Sequence, residues 1–312
     1  MTRRDLGKIA LAALPAAHLF AKPNSKFGGV QIGINAPYSF RGMPGTADDI
    51  LTYMDKLGVN GLELRLQPVE GWLKAPVVPP TPRGKVTLTD EQKAQQKAAA
   101  EELKKWRLSL SMDRMKEFRK KYEDAGMLIQ IVKFDGINDM DDDVVDYCFN
   151  TAKALGAKAI SCEIPLSRTK RLGEFATRHK MMVGYHGHAK IHDAEAFAKP
   201  ESWETAMSYS KYNGINLDIG HFMAGNSTSP IPFLKKYHDR VTHIHLKDRK
   251  KDDGPNQVWG QGDTPIKEVL QLMKKEKYTF QATIEFEYPT PAGSDVLTEI
   301  GKCVDYCKAA LA

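Results

Sequence analysis

The chain has 312 residues, of which 42% are hydrophobic and 27% are charged, a composition typical of a globular protein. It contains no apolar run of about 18 residues or more, which excludes a hydrophobic transmembrane helix. The formal net charge of +6 is too small to predict a nucleic-acid partner.

The first 21 residues have the pattern of an export signal. Arg3 and Arg4 precede an apolar run from Ile9 to Phe20, and a polar segment follows that run. A charged start, a short apolar core and a polar exit describe a secretory signal peptide, and the arginine pair resembles a twin-arginine signal. We therefore expect residues 1–21 to be a signal peptide and the protein to be periplasmic or extracellular. The alternative is an ordinary first helix over residues 5–19.

Strand-like apolar stretches alternate with amphipathic stretches along the rest of the chain. The predicted strands lie at about 29–35, 61–66, 127–134, 158–164, 181–188, 213–219, 241–247 and 280–286. The predicted helices lie near 46–58, 111–125, 140–156, 167–179, 194–210, 229–239, 264–277 and 293–311. Strict alternation of eight strands and eight helices indicates an α/β fold, a closed (β/α)8 TIM barrel, which we expect to form one domain over residues 27–312.

One connection is much longer than the others. The segment over about 67–110 follows the second strand and exceeds a normal βα loop. Its first half, 77–82, is extended and proline-rich, and its second half, 91–106, is predicted to form an extra helix. Because βα loops cover the active face of a barrel, we expect a lid or a substrate-side insertion. A solvated surface excursion and a contact surface in a homo-oligomer are the alternatives.

Ionisable residues stand at the C-terminal ends of four predicted strands: His186, Asp218, His245 and Glu285. Barrel enzymes place their chemistry at these strand ends. An inward carboxylate is costly unless it is paired or binds a metal. Two carboxylates and two imidazoles suit Mn, Co, Zn, Fe or Ni better than Mg or Ca. The pattern predicts one divalent metal ion held by all four residues, although each residue alone is also compatible with a structural hydrogen bond.

The strand-end motifs resemble those of the xylose-isomerase-like TIM barrels, the sugar isomerase/epimerase superfamily. The resemblance covers about residues 29–310 and is strongest at 218–221 and 243–248. It implies that Asp218, His245 and Glu285 are metal ligands. It also implies that His221 contacts a substrate hydroxyl and that Lys247 is a cation near the developing oxyanion.

The chain departs from that family at the fifth strand. Sugar epimerases and hydroxypyruvate isomerases of the superfamily usually have a glutamate there that also moves a proton, whereas this chain has His186. An imidazole held on a metal is a poor proton shuttle. The replacement bases that the sequence offers are Glu163 on the fourth strand and His188, two residues beyond His186, and Glu163 is alternatively a fifth ligand.

Four further residues are candidates for substrate contacts. Glu63 and Arg65 alternate with leucines on the second strand, where they either bind a polyol or form a salt bridge at the barrel rim. Arg249 begins a charged loop after the seventh strand, and Trp259 is an aromatic ring in that loop that is able to stack on a sugar.

A metal chelating a carbonyl and an adjacent hydroxyl stabilises an enediolate, so a nearby base predicts a metal-dependent sugar isomerase or epimerase. If the β-substituent leaves instead, the same centre is a lyase or hydratase that cleaves 3-keto-glycosides, as the resemblance of exported members suggests. A sugar-binding protein without catalysis is the third hypothesis. In each case the expected ligand is a small carbohydrate or keto-sugar.

Overall fold

A computed structural model describes residues 22–80 and 88–312 of the chain. The signal peptide predicted for residues 1–21 lies outside the described residues. Residues 81–87 of the predicted insertion also lie outside them.

Eight parallel strands form a closed barrel. They are β1 (Val30–Ala36), β2 (Gly61–Arg65), β3 (Leu128–Lys133), β4 (Ala159–Cys162), β5 (Met182–His186), β6 (Asn213–Asp218), β7 (Val241–Leu246) and β8 (Gln281–Ile284). Each strand pairs in parallel with the next, and β8 pairs with β1. The predicted (β/α)8 TIM barrel and all eight predicted strands are therefore confirmed.

Eleven α-helices accompany these strands within the described ranges. They are α1 (Ala47–Leu57), α2 (Leu66–Trp72), α3 (Asp90–Ser109), α4 (Met112–Asp124), α5 (Asp142–Ala154), α6 (Thr169–His179), α7 (Pro200–Tyr209), α8 (Ile219–Asn226), α9 (Ile231–Tyr237), α10 (Ile266–Glu276) and α11 (Val296–Leu311). The eight predicted helices and the extra one in the insertion are present, whereas α2 and α8 were not predicted. None of the described helices is long and apolar enough to cross a bilayer.

The sequence explains where these elements begin and what they bury. Thr46 caps α1 by accepting the backbone N–H of Asp49, whose carboxylate accepts the backbone N–H of Thr46 in return. The helix then buries Ile50 and Met54. In β6 all six residues are buried, because a barrel strand faces the interior on one side and the helices on the other.

Helix α8 begins directly at the end of β6. Asp218 is the last residue of the strand and caps the helix, because its Oδ1 accepts the backbone N–H of His221 at 2.7 Å. Gly220 and Gly225 lower the helix propensity of this segment, so the sequence signal for α8 is weak. This turn fixes the side chain of Asp218 at the barrel mouth.

The last turns of α3 contact both the start of the insertion and the barrel. Within the insertion, Arg107 donates from Nε and Nη2 to the two carboxylate oxygens of Glu70 on α2, at 2.7 and 2.9 Å. Lys104 pairs with Asp141 just before α5. No residue of α3 is buried. The helix therefore lies on the surface and is held at one end, and its function as a lid stays a prediction.

Two glycines make room for one buried side chain in the barrel interior. A Cβ on Gly33 of β1 would lie 2.2 Å from Cδ of Gln281, and one on Gly61 of β2 would lie 2.4 Å from its Oε1. Gln281 begins β8 and donates from Nε2 to Thr283 Oγ1 at 2.9 Å. The glycines are needed at these positions because the Gln281 amide occupies the space.

We predict that Gly33→Ala lowers the free energy of unfolding by about 1–3 kcal/mol, because the added methyl overlaps the Gln281 side chain. The cost should be smaller in a Gln281→Ala background, where that space is empty. Urea unfolding of the single and double variants measures both values. Gly71→Ala is the control, since nothing lies within 4 Å of its added Cβ. Equal stability of Gly33→Ala and the unmodified protein would contradict this packing.

Candidate metal centre and proton-transfer pair

The four predicted ligands meet at the C-terminal mouth of the barrel. His186 ends β5, Asp218 ends β6, His245 lies in β7, and Glu285 follows the last residue of β8. All four are buried, with at most 3% of any residue exposed. Each residue offers one possible ligand atom, and these four atoms all lie within 4.8 Å of one another. Four consecutive strands thus bring the predicted residues together.

The distances between these atoms fit the edges of a coordination tetrahedron. His186 Nε2 lies 3.4 Å from Asp218 Oδ2 and 3.8 Å from Glu285 Oε2. His245 Nδ1 lies 3.7 Å from Asp218 Oδ2 and 3.2 Å from Glu285 Oε2. Metal bonds of about 2.0–2.2 Å place tetrahedral ligands about 3.3–3.6 Å apart. The four atoms, which we call the ligand cluster, therefore have the spacing of a metal site.

Each carboxylate of the cluster has one oxygen that accepts a hydrogen bond and one oxygen that accepts none. Asn35 Nδ2 donates to Glu285 Oε1 at 2.9 Å, and Asp218 Oδ1 accepts the N–H of His221. The other two oxygens, together with His186 Nε2 and His245 Nδ1, are buried atoms without a hydrogen-bond partner. Buried polar atoms are rarely left in this state, so four of them facing one point form a group that could bind a metal ion.

Burial and neighbouring charges set the protonation of the two histidines. Burial lowers the pKa of His186 to about 4, so its ring is neutral and able to bind a metal. Burial also acts to lower the pKa of His245, but the carboxylates of Glu285 and Glu63 hold it well above its usual value. These charges favour the protonated ring, and a bound cation would displace the proton on its Nδ1.

Lys247 is the protein's own positive charge at the cluster. Its Nζ lies 3.0 Å from Asp218 Oδ2 and 2.5 Å from both Glu285 Oε2 and Glu287 Oε2. Of these three contacts with carboxylates, the one with Glu287 has the geometry of a hydrogen bond. Lys247 is buried, and burial acts to lower its pKa, but Asp218, Glu285 and Glu287 raise it far above its usual value. Lys247 thus lies beside the ligand cluster, and its function near a developing oxyanion stays a prediction.

Glu163 and His188 form a pair at the barrel mouth, next to the cluster. Glu163 Oε2 lies 3.2 Å from Nε2 of His188, whose side chain is 32% exposed. Glu163 Oε1 accepts from Nζ of the buried Lys133 at 2.5 Å and lies 3.5 Å from Nδ1 of His186. Because that nitrogen points away from the cluster, Glu163 lies on the opposite side of the His186 ring from the proposed ion.

The surroundings of Glu163 make its carboxylate a weak base. Burial acts to raise its pKa, but His188, His186 and Lys133 together hold it far below its usual value. A carboxylate in this state does not take a proton from carbon near neutral pH. This makes Glu163 the weaker candidate of the two predicted replacement bases, and His188 contacts its carboxylate at 3.2 Å. The function of either residue as a base stays a prediction.

His221 and Arg249 lie together beside Lys247. Arg249 Nη1 donates to Nδ1 of His221 at 2.7 Å, and Lys247 Nζ lies 3.2 Å from the other ring nitrogen. Burial and the positive charge of Lys247 hold the pKa of His221 well below its usual value. Arginine and lysine both donate and accept nothing, and a neutral imidazole has one acceptor nitrogen, so only one of the two contacts is a hydrogen bond to the ring. The contact of His221 with a substrate hydroxyl stays a prediction.

Three predicted substrate contacts have other partners in the structure. Glu63 is completely buried and its Oε2 lies 2.5 Å from Nε2 of His245. Both predictions for Glu63, a contact with a polyol and a salt bridge at the barrel rim, are therefore wrong. Arg65 is paired with Asp135 through both carboxylate oxygens. Trp259 is 9% exposed and packs edge-on against Tyr306 of α11, which assigns its ring to the core.

The sequence interpretation missed two charged residues. Lys133 is completely buried, and Glu287 accepts from Lys247, Tyr38 and Arg41. A lysine at the end of the apolar strand β3 is a signal that could have identified Lys133. Glu287 lies two residues beyond Glu285, so the same alternation that points Glu285 inward also applies to it.

Part of the chain is similar in sequence to a curated protein. An inosose dehydratase from Clostridium tetani (strain Massachusetts / E88) is 28% identical over 137 residues, which are 38% of this chain and 44% of the relative. The chain thus matches less than half the length of this curated relative.

Two solved structures share the fold. The IOLI protein with a bound zinc atom superposes with a TM-score of 0.60 at 14% identity, over 91% of this chain and 99% of that one. The 3-keto-D-glucoside 4-epimerase from E. coli gives a TM-score of 0.59 at 11% identity, over 90% and 99%. At these identities the likeness concerns the fold alone.

The family model described as xylose isomerase-like TIM barrel matches residues 99–303, which is more than half of the chain. This range contains all four residues of the ligand cluster and also Glu163, His188 and Lys247. The chain therefore belongs to the xylose isomerase-like TIM barrel family.

Proposed function

We propose that this protein is a divalent-metal-dependent enzyme that removes a proton from the carbon next to the carbonyl of a small sugar or keto-sugar. The observation that carries the proposal is the convergence of four buried, unpartnered ligand atoms beside a carboxylate–imidazole pair. The zinc atom in the IOLI protein, which has the same fold, supports metal binding by a barrel of this kind.

His186, Asp218, His245 and Glu285 would hold the ion. When bound there, a divalent ion would polarise a substrate carbonyl and stabilise the negative charge that develops on its oxygen. The donor set of two nitrogens and two oxygens suits Mn, Co, Zn, Fe or Ni.

The remaining residues of the site supply proton transfer and positioning. His188 accepts the proton on Nδ1, because its Nε2–H is donated to Glu163. Glu163 stabilises the imidazolium that forms, and Lys133 keeps Glu163 ionised. Lys247 places positive charge beside the oxygen that becomes negative, and His221, whose Nε2 lies 3.2 Å from Nζ of Lys247, is placed to contact a substrate hydroxyl.

Two outcomes follow from one proton removal. Return of a proton to a different carbon or face gives isomerisation or epimerisation. Loss of a hydroxyl or a glycosidic oxygen from the β carbon gives elimination, with the electron pair of the C–H bond forming the new double bond. The inosose dehydratase relative and the 3-keto-D-glucoside 4-epimerase fold neighbour support both outcomes for a keto-sugar substrate. The export predicted from the sequence would place this chemistry outside the cytoplasm.

We predict that His188→Gln lowers the rate of substrate proton exchange by about 10²–10⁴-fold, because the group that accepts the proton is removed. The measurement is loss of the α-proton signal of a 3-keto-D-glucoside in heavy water by NMR, with zinc-loaded protein. His238→Gln is the matched control, since His238 precedes β7 at the opposite end of the barrel. Exchange by His188→Gln within about threefold of the unmodified rate would contradict the assignment.

Heavy water also separates the two reaction outcomes. We expect one of two probes, a 3-keto-D-glucoside or an inosose, to be converted, because each has a carbonyl next to a C–H bond. Deuterium in an intact, rearranged sugar identifies an isomerase or epimerase. Release of the aglycone or of water, detected by mass spectrometry, identifies elimination. Binding of both probes with neither exchange nor product would contradict an enzyme and favour a sugar-binding protein.

A further inference from the structure

Behind the ligand cluster lies a buried carboxylate that the proposed mechanism does not use. Glu63 is in β2 and is completely buried. Its Oε2 lies 2.5 Å from Nε2 of His245, the ring nitrogen opposite the one that faces the cluster, and 3.3 Å from Nε2 of His243. His245 thus connects Glu63 on one side with the proposed ion on the other.

Glu63 faces two imidazole rings through one oxygen, because Nε2 of His245 and Nε2 of His243 both approach its Oε2. The 2.5 Å contact with His245 has the geometry of a hydrogen bond to a carboxylate. A carboxylate accepts hydrogen bonds and donates none. The proton between Glu63 and His245 therefore belongs to Nε2 of the imidazole.

Glu63, His243 and His245 also have the composition of a metal site, but their spacing does not fit one. Ligand atoms around an ion lie about 3.3–3.6 Å apart when each bond is about 2.0–2.2 Å. The 2.5 Å between Glu63 Oε2 and His245 Nε2 is instead the distance of a charge-assisted hydrogen bond.

The other histidine of the cluster has no comparable support. His186 Nδ1 lies 3.5 Å from Glu163 Oε1 and is without a hydrogen-bond partner. Within the described part of the chain, His245 is thus the cluster imidazole whose outer nitrogen is bound by a carboxylate. The ring of His245 is therefore held by a hydrogen bond at its outer nitrogen, whereas the ring of His186 is not.

We propose that Glu63 is a positioning residue that fixes the proton of His245 on Nε2 and thereby directs the lone pair of Nδ1 at the cation. The inference rests on the metal centre of the proposed function. A carboxylate behind a histidine ligand orients the ring and makes its free nitrogen more basic, and loss of such a partner typically weakens metal binding about 10–100-fold.

The test compares zinc affinities of the full chain, measured by competition with a chelating dye after removal of bound metal. Glu63→Gln keeps the size of the side chain and an oxygen acceptor but removes the charge. We expect its zinc dissociation constant to rise about 10–100-fold. Glu299→Gln is the matched control, because Glu299 is also completely buried but is bound by Tyr288, Ser294 and Lys302. Its zinc affinity should equal that of the unmodified protein.

The zinc affinities distinguish a failure of the inference about Glu63 from a failure of the proposed metal centre. Equal zinc affinity of Glu63→Gln and the unmodified protein overturns the function of Glu63 and leaves the metal centre intact. Failure of the unmodified protein to bind zinc overturns the metal centre, and the inference about Glu63 with it.

A measurement on the unmodified protein covers the case in which Glu63→Gln does not fold. In the zinc complex, long-range ¹H–¹⁵N NMR correlations of His245 should show a proton on Nε2 and none on Nδ1. The Nε2–H resonance should also lie far downfield, as expected for a short bond to a carboxylate. A His245 ring protonated on Nδ1 in that complex would overturn the proposal.

Discussion

The structure depends on the burial of two carboxylates and two imidazoles that face one another without sufficient partners. Removing such groups from water costs several kcal/mol for each charge unless opposite charge is supplied. The barrel supplies Lys247, whose ammonium contacts Asp218 and Glu285 without hydrogen-bond geometry to either. One lysine leaves the inner nitrogen of His186 unsatisfied. A divalent ion at the cluster, as we propose, would satisfy all four atoms at once.

The groups around the cluster form two layers with different tasks. Below it, Glu63 contacts the outer nitrogen of His245, and Asn35 holds one oxygen of Glu285, so the ligands are fixed in position. Toward solvent, Glu163 and His188 form a pair that is partly exposed, which the proton exchange with substrate that we propose requires. The same residue types thus have different environments because their depth in the barrel differs.

Much of this arrangement could be predicted from the sequence. The eight strands were identified because apolar runs alternate with amphipathic ones, and the ligands because polar residues end those runs. The pairing of Glu63 with His245 could not be predicted, because the two are 182 positions apart and meet only when the barrel closes. The contact of Lys133 with Glu163 likewise depends on the register between β3 and β4. Periodicity indicates which residues point inward, but not which of them touch.

The most direct test of the metal centre is a crystal structure of the protein soaked in zinc, with data collected on both sides of the zinc absorption edge. The account predicts one anomalous peak bonded to His186 Nε2, Asp218 Oδ2, His245 Nδ1 and Glu285 Oε2, with Lys247 displaced from the two ligand carboxylates. An absence of anomalous density at these four atoms, with Lys247 still in contact with Asp218 and Glu285, would contradict it.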